Sequence, residues 1–210
     1  MIRILGREDS LNVRKVLWCC DELGLEFERE DYGGPFGRTD TPEYRALNPN
    51  GLVPTVIDGD LSVWESNTIM RYLAAKYGGA PLYDPDPGKR SLAERWMDWQ
   101  LSTLQQVQGV MFLNLVRLPP DQRDAAAVAR NRDLCAKAMG VLDGALAAGA
   151  NEGPYIAGRD LTLGDIPLGV AVNRWFMLDI TREDLPALAA YYETLQRHDG
   201  YRRWVANGKP

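Results

Sequence analysis

The sequence predicts an α/β domain followed by an all-α helical domain, and three observations support that prediction. Short apolar segments, turn signals and helical spacing alternate up to residue 79. A proline-rich segment then interrupts regular helix at 80–88. Beyond it, apolar residues keep helical spacing and alanine is frequent. We therefore expect an α/β domain at 1–79, a linker at 80–88 and a helical domain at 89–210.

The N-terminal domain is expected to begin with a strand and a helix. Ile2–Leu5 is a short apolar run followed by glycine, which is typical of a strand and its end. Over residues 13–20, apolar side chains recur at spacings of three and four, as on the buried face of a helix. Ser10 or Asn12 can cap this helix, and Gly24 can end it.

The rest of this domain shows equally local signals. Proline fits the first turn of a short helix after a threonine cap, and an Asp-Gly pair between two apolar runs indicates a hairpin. The order becomes β-α-β-α-β-β-α, with a helix at Pro42–Leu47 after Thr41, a hairpin that joins 53–57 to Leu61–Trp64 through Asp58 and Gly59, and a helix at 68–77 before Gly78 and Gly79.

The C-terminal domain is expected to contain only helices. Apolar residues keep helical spacing through four segments, and the first of them stops at a pair of prolines. These helices are predicted at about 89–118, 125–148, 162–178 and 185–197. Thr162 and Asp165 have the spacing of a capping box, in which each side chain reaches the other residue's amide.

Pro54 stands at the start of a predicted strand, where most prolines would end one. Proline lacks an amide hydrogen, so a strand tolerates it at the first residue, on an edge or at a bulge. We predict that the Val53–Pro54 peptide bond is cis and that the N–H and C=O of Val53 are left without partners. An extended peptide could pair with these groups as an added strand, so the sequence predicts a small peptide ligand.

Four motifs follow one another along the chain: a serine motif at 10–14, a proline segment at 48–54, an acid-serine motif at 64–69 and a C-terminal capping motif at 161–166. In this order they resemble those of the cytosolic, serine-motif glutathione transferases, in a form that looks bacterial. The resemblance covers essentially the whole chain and implies a thioredoxin-like N-terminal domain. It also implies glutathione as co-substrate and a role in detoxification.

The resemblance implies that Ser10 or Asn12 is the catalytic residue. Glutathione attacks as a thiolate, but an unperturbed thiol has a pKa of about 8.5 and is mostly protonated at neutral pH. A hydroxyl at the start of a helix combines a hydrogen bond to the sulfur with the positive end of the helix dipole. Asn12 offers an amide donor two residues on, so both stay candidates. On local sequence alone, either residue is simply a helix cap.

The resemblance also implies a set of glutathione-binding residues. The Ser66 hydroxyl and the free amides of its helix would hold the α-carboxylate of the glutamyl arm, while Glu65 would pair with its ammonium group. Asp98 could reach the same ammonium group from a second subunit, although a solvated or interhelical charge is an equal alternative. The full set is Asn50, Leu52, Val53, Pro54, Glu65, Ser66 and Asp98.

By the same resemblance, the helical domain should supply most of the pocket for a hydrophobic electrophile. Large apolar residues at these positions also fit a protein core, which is the structural alternative for each of them. The candidates for the pocket are Leu11, Phe36, Met111, Phe112, Asn114 and Trp175.

The sequence lacks the residues that several other classes of enzyme require. His198 is the only histidine, so no histidine cluster can bind zinc, and we expect it within a C-terminal helix. Neither glycine-rich nucleotide motif is present. Cys19 and Cys20 are adjacent in a predicted helix, and with Cys135 they make an odd number, which indicates reduced thiols in an apolar core. The start of the first helix, at 10–13, contains no thiol, which argues against disulfide exchange.

The composition and net charge limit which binding partners and which location are expected for this protein. A content of 45% hydrophobic and 25% charged residues is ordinary for a soluble globular protein, and the net charge of −5 argues against nucleic acid or an anionic membrane. No apolar stretch is long enough to span a bilayer, and the N-terminus lacks a signal-peptide core, so we expect a cytoplasmic protein.

We therefore predict a cytoplasmic, homodimeric glutathione transferase that conjugates the thiolate to an electrophilic small molecule and uses no metal. A glutathione-dependent isomerase or dehalogenase is the enzymatic alternative. A non-enzymatic glutathione-binding or interaction module is the alternative from another class.

Overall fold

The computed structural model describes all residues from Met1 to Pro210. Its N-terminal part contains a mixed sheet of four strands in the order β2-β1-β3-β4. Strand β1 pairs in parallel with β2 and antiparallel with β3, which pairs antiparallel with β4. The strands are β1 (Ile2–Leu5), β2 (Phe27–Glu30), β3 (Thr55–Asp58) and β4 (Leu61–Trp64).

Three helices accompany this sheet, and the predicted order β-α-β-α-β-β-α is confirmed. Gly24 follows the first helix with φ of +63°, a left-handed conformation that suits the end of a helix. In the second, the Thr41 hydroxyl accepts a hydrogen bond from the Tyr44 amide at 3.3 Å, as a cap should. The helices are α1 (Leu11–Glu22), α2 (Pro42–Leu47) and α3 (Ser66–Tyr77).

The hairpin differs from the prediction by one residue. Asp58 pairs with Leu61, so Gly59 and Asp60 form the two-residue turn, and Asp58 belongs to β3. Gly59 has φ of +63°, which a glycine adopts easily at the first central position of a tight turn. The strand itself begins at Thr55, directly after Pro54.

The remainder of the chain is helical, so the predicted fold class is confirmed. The first helical run, predicted at 89–118, extends from Pro87 to Arg117 and includes two π-helical segments, Gln100–Leu104 and Leu113–Arg117. Short 3-10 turns lie at Gly34–Phe36 and Pro120–Gln122. The helices are α4 (Pro87–Trp99), α5 (Gln105–Phe112), α6 (Ala125–Ala148), α7 (Asp165–Met177), α8 (Pro186–Leu195) and α9 (Asp199–Trp204).

Three boundaries correct the sequence analysis. Helix α4 begins at Pro87, inside the segment expected to be a linker, because proline is well suited to the first helical position. Helix α9 was not predicted, and His198 lies just before it and outside any helix. Its Nε2 lies 2.8 Å from the Tyr155 hydroxyl and its Nδ1 lies 3.1 Å from Glu22, so it joins three segments of the chain.

The capping box at the start of α7 forms only in part. Asp165 reaches back to accept the Thr162 amide at 2.8 Å, as expected. The Thr162 hydroxyl, however, donates to the Asp165 carboxylate at 2.8 Å and leaves the Asp165 amide to the Thr162 carbonyl. The carboxylate also accepts from the Ile156 amide and the Tyr191 hydroxyl. The motif therefore joins α7 to α8 and to the preceding loop.

Helix α1 connects the two parts of the molecule. Val13 and Val16 pack in the small core beside the sheet, whereas Trp18 and Cys19 pack in the large core of the helical part. Because one rigid helix belongs to both cores, its N-terminus is held in place relative to α5 and α7. None of the helices is both long and apolar enough to cross a bilayer.

Candidate active site

The loop before β3 presents free backbone groups. Its Val53–Pro54 peptide bond is cis. The N–H and C=O of Val53 form no hydrogen bond within the chain. Leu52 and Asn50 are exposed, and Pro54 is buried beneath them. An extended peptide laid along this loop could therefore pair with Val53.

A buried polar network holds the loop in this shape. The Tyr44 hydroxyl and the Asn48 side-chain amide donate to the Leu52 carbonyl at 2.6 and 2.8 Å. Both also lie within hydrogen-bond distance of the Thr55 hydroxyl. Sequence reasoning missed this role of Tyr44 and Thr55. Asn48 could have been found, because it lies within the cis-proline segment.

The N-terminus of α1 is a second open site. Ser10 is the N-cap residue, but its hydroxyl makes no capping bond to the helix. The amides of the first turn have no partner, because the first helical bond runs from Arg14 to the Ser10 carbonyl. A free hydroxyl and free amides at the positive end of a helix can stabilise an anion such as a thiolate.

The N-terminus of α3 lies beside it. Glu65 has φ of +69°, which is rare for a residue other than glycine and is common at functional sites. Ser66 is the first helical residue, and Glu65 is the N-cap. Its hydroxyl donates to the Asn12 side-chain oxygen at 3.4 Å, which brings the starts of α1 and α3 together. The Glu65 carboxylate is exposed and has no partner in the chain.

Two neighbouring residues attach this corner to α4. The buried Asn67 side chain, which sequence reasoning missed, donates to the Met97 carbonyl at 3.0 Å. Asp98 forms an ion pair with Arg71 of α3 at 2.8 Å, so it does link two helices. Its side chain remains 68% exposed.

Lys15 lies fully buried one turn after Asn12, and no sequence signal marked it. Its ammonium group donates to Gln100 at 2.9 Å and to Gln105 at 3.4 Å. Burial is the largest cause that lowers the pKa of Lys15 to about 7, and the nearby Arg174 acts in the same direction while Glu65 acts in the opposite one. A lysine that titrates near neutrality thus lies under the start of α1.

A cleft of about 480 Å³ opens between the start of α1 and the helical part. Ser10 and Asn12 lie on one side of it. Its apolar wall is formed by Leu11, Val110, Phe112 and Leu113, and the rest of its lining is polar: Arg7, Asp9, Gln105, Gln106, Arg117 and Arg174, with Gly109 between.

Four of the expected pocket residues do not line this cleft. Met111 and Trp175 are buried in the core of the helical part and do not reach the cleft. Asn114 bonds internally to the Val110 carbonyl and the Asp124 amide. Phe36 is 48% exposed on a 3-10 turn and does not line the cleft. The family resemblance proposed these positions, and large side chains at such positions fit a protein core as well as a pocket.

Comparison with known families agrees with this geometry. The profile of the glutathione S-transferase N-terminal domain matches residues 5–81, and that of the C-terminal domain matches residues 109–199. The glutathione S-transferase GstB of Escherichia coli K12 is 37% identical over 207 residues, which cover 98% of each chain. This chain belongs to the glutathione S-transferase family.

Solved structures support the same assignment. A theta-class glutathione S-transferase from Xanthomonas axonopodis pv. citri with glutathione bound has a TM-score of 0.91 and 46% identity, over 97% of this chain and 96% of that one. A delta-class enzyme from Nilaparvata lugens has a TM-score of 0.86 at 25% identity, over 99% and 94%. The protein is a glutathione transferase with a thioredoxin-like fold, and glutathione is its co-substrate.

Proposed function

We propose that this transferase ionises the glutathione thiol at the start of α1 and transfers the sulfur to an electrophilic carbon of a small molecule. The observation that supports this most directly is the 3.4 Å contact between Ser66 and Asn12, since it joins two open helix N-termini beside a cleft. One N-terminus can receive a thiolate and the other a carboxylate.

Glutathione would extend across both sites. The N–H and C=O of Val53 would pair with the backbone of the cysteinyl residue, beside Leu52, Pro54 and Asn50. The Ser66 hydroxyl would exchange its contact with Asn12 for the glutamyl carboxylate, which the free amides of α3 would also hold. The exposed Glu65 carboxylate would pair with its ammonium group.

Ser10 is the better placed of the two candidate thiolate donors. Its hydroxyl has no partner at the N-cap of α1, whereas the orientation of the Asn12 side chain is fixed by the hydrogen bond that its oxygen accepts from Ser66. The Ser10 hydroxyl would donate to the sulfur, and the free amides of α1 would add the field of the helix. When the thiolate attacks, a carbon–sulfur bond forms, and the electron pair passes to the leaving group or into the electrophile's π system.

Titration of thiolate absorbance in enzyme-bound glutathione tests this assignment. Ser10→Ala is expected to raise the pKa of the bound thiol by about 1–2 units, because a hydrogen bond to a charged group contributes about 1.5–3 kcal/mol and one unit corresponds to about 1.4 kcal/mol. Asn12→Ala should have a smaller effect. Ser91→Ala, at an exposed serine of α4, is the matched control. An unchanged pKa in both Ser10→Ala and Asn12→Ala would refute the assignment.

We further propose a cytoplasmic homodimer that removes reactive electrophiles, with residues 1–79 for glutathione and 89–210 for the electrophile and the dimer contacts. Exposed apolar side chains on the first helical run and on α6, including Leu92, Leu101 and Val141, favour a covered surface. Asp98 could then reach glutathione in the other subunit. Light scattering should give twice the chain mass of 23.5 kDa. A mass of one chain at micromolar concentration would contradict the dimer.

A further inference from the structure

The cleft beside Ser10 carries more positive charge than an apolar pocket needs. Three arginines line it: Arg7 from the loop before α1, Arg117 from the end of the first helical run and Arg174 from α7. The only acid in the lining is Asp9, which lies 2.9 Å from Arg7 and 3.3 Å from Arg117. One carboxylate is thus shared by two guanidinium groups, and the third has none.

Arg174 gives the strongest indication that this cleft binds an anion. It is only 7% exposed, yet its guanidinium group forms no ion pair and donates no hydrogen bond within the chain. Its Cζ lies 3.9 Å above the centre of the Phe112 ring, which orients it at the cleft wall. A buried guanidinium group without an acceptor is destabilising, because its fork of donors normally binds a carboxylate or phosphate.

The positive charges around Arg174 favour binding of an anion beside it. Burial lowers its pKa to about 9, and repulsion by Arg14 and Arg117 acts in the same direction. Arg14 is itself buried and bonds only to two backbone carbonyls, of Glu8 and Lys209. An anion in the cleft would relieve this repulsion and provide the missing acceptor.

We propose that the electrophilic substrate carries a carboxylate, which Arg174 and Arg117 bind while Phe112 and Leu11 contact its apolar body. This inference rests on the proposed transfer reaction and narrows its substrates to anionic electrophiles. It replaces the expectation of a purely hydrophobic one, since the cleft wall combines an apolar patch with unneutralised arginines.

Binding of an unreactive probe tests the site without any turnover. We expect glutathione-saturated enzyme to bind 3-nitrobenzoate at least about tenfold more tightly than 3-nitrobenzamide, because one charge-assisted hydrogen bond has about this effect. Arg174→Gln and Arg117→Gln should each weaken the benzoate about tenfold and change the benzamide less than about twofold. Arg130→Gln removes the same charge at an exposed position of α6 and should change neither. Arg117 is partly exposed, so its variant remains informative if Arg174→Gln fails to fold.

Glutathione itself has a glycyl carboxylate, and a second arm separates this source of negative charge. Calorimetric titration with glutathione should give the same affinity, within about twofold, for the wild type, Arg117→Gln and Arg174→Gln. If these variants instead lose glutathione and keep the benzoate, the arginines bind the tripeptide and the proposal is overturned. Equal binding of nitrobenzoate and nitrobenzamide by the wild type would also overturn it.

Turnover distinguishes this proposal from the proposed reaction. With 4-chloro-3-nitrobenzoate, the thiolate attacks the carbon that bears chlorine, the carbon–sulfur bond forms, chloride leaves with the bonding electrons, and the thiol proton goes to solvent. After division by the uncatalysed rate, kcat/KM should exceed that of 4-chloro-3-nitrobenzamide about tenfold. Equal kcat/KM values for the two compounds, after this division, would refute only the carboxylate site and not the transfer reaction. If neither compound reacts while the enzyme still binds the benzoate through Arg174, the transfer reaction on such carbons is refuted and the anion site remains supported.

Discussion

Asp165→Ala is expected to lower the free energy of unfolding by about 3–5 kcal/mol, because it removes a buried acceptor from several donors at once. The carboxylate of Asp165 is fully buried and accepts from the amides of Ile156 and Thr162 and from the Tyr191 hydroxyl, all at 2.8–2.9 Å. Truncation leaves these groups buried without partners, and each costs about 1–3 kcal/mol. Urea unfolding followed by tryptophan fluorescence measures the loss.

The loss should exceed that of a single helix cap because the motif positions more than one element. Next to Asp165, Gly164 packs on the backbone of α4, where an added Cβ would lie 2.7 Å from the Ala93 carbonyl oxygen. The Leu163 amide donates to the Leu82 carbonyl at 3.0 Å, which ties the start of α7 to the segment between the two parts of the chain. The capping motif at 161–166 therefore stabilises the junction between the parts.

A matched variant separates this effect from the loss of one negative charge. Asp160 lies five residues earlier, is exposed and accepts no hydrogen bond. Asp160→Ala should change the free energy of unfolding by less than about 0.5 kcal/mol, as surface substitutions usually do. If Asp165→Ala costs no more than Asp160→Ala, the carboxylate does not hold the junction together.

Elements whose signals are local could be predicted from the sequence. The starts of α2 and α6 follow from a threonine or aspartate cap, and Thr41 and Asp124 both accept a hydrogen bond from the amide three residues on. Strand β2 was implied only by the order of elements, because its alternating charged residues form a strand through pairing with β1. Helix α9 is short and rests on contacts with α1 that lie far away in sequence.

The side of the site that we propose for glutathione was more accessible to sequence reasoning than the cleft. Ser10, Val53 and Ser66 belong to short motifs, and the backbone groups that matter there are set by local conformation. The cleft depends on which charged residues are enclosed by distant helices. Lys15 and Arg174 look like ordinary surface charges in the sequence, and only the packing of α1 against the helical part buries them.

The buried Lys15 should make the stability of this enzyme depend on pH in an unusual direction. A lysine has a pKa of about 10.4 in an unfolded chain, whereas burial lowers that of Lys15 to about 7. Below about pH 7 both states carry the charge, and the native state has the full cost of burying it. Between about pH 7 and 10, the unfolded state binds a proton that the native state lacks, so the free energy of unfolding rises with pH from this group.

Lys15→Met is therefore expected to stabilise the protein at pH 6 by about 1–4 kcal/mol, the range found when hydrophobic residues replace buried charges. Lost hydrogen bonds to Gln100 and Gln105 set the lower end of that range. From pH 7 to 8.5, the gain should shrink by about 1.4 kcal/mol per pH unit. Urea unfolding of the wild type and Lys15→Met at each pH gives a difference in which the contributions of all other titrating groups cancel. Lys137→Met is the exposed control on α6. A difference that stays constant across this interval would mean that Lys15 keeps its proton in the folded enzyme.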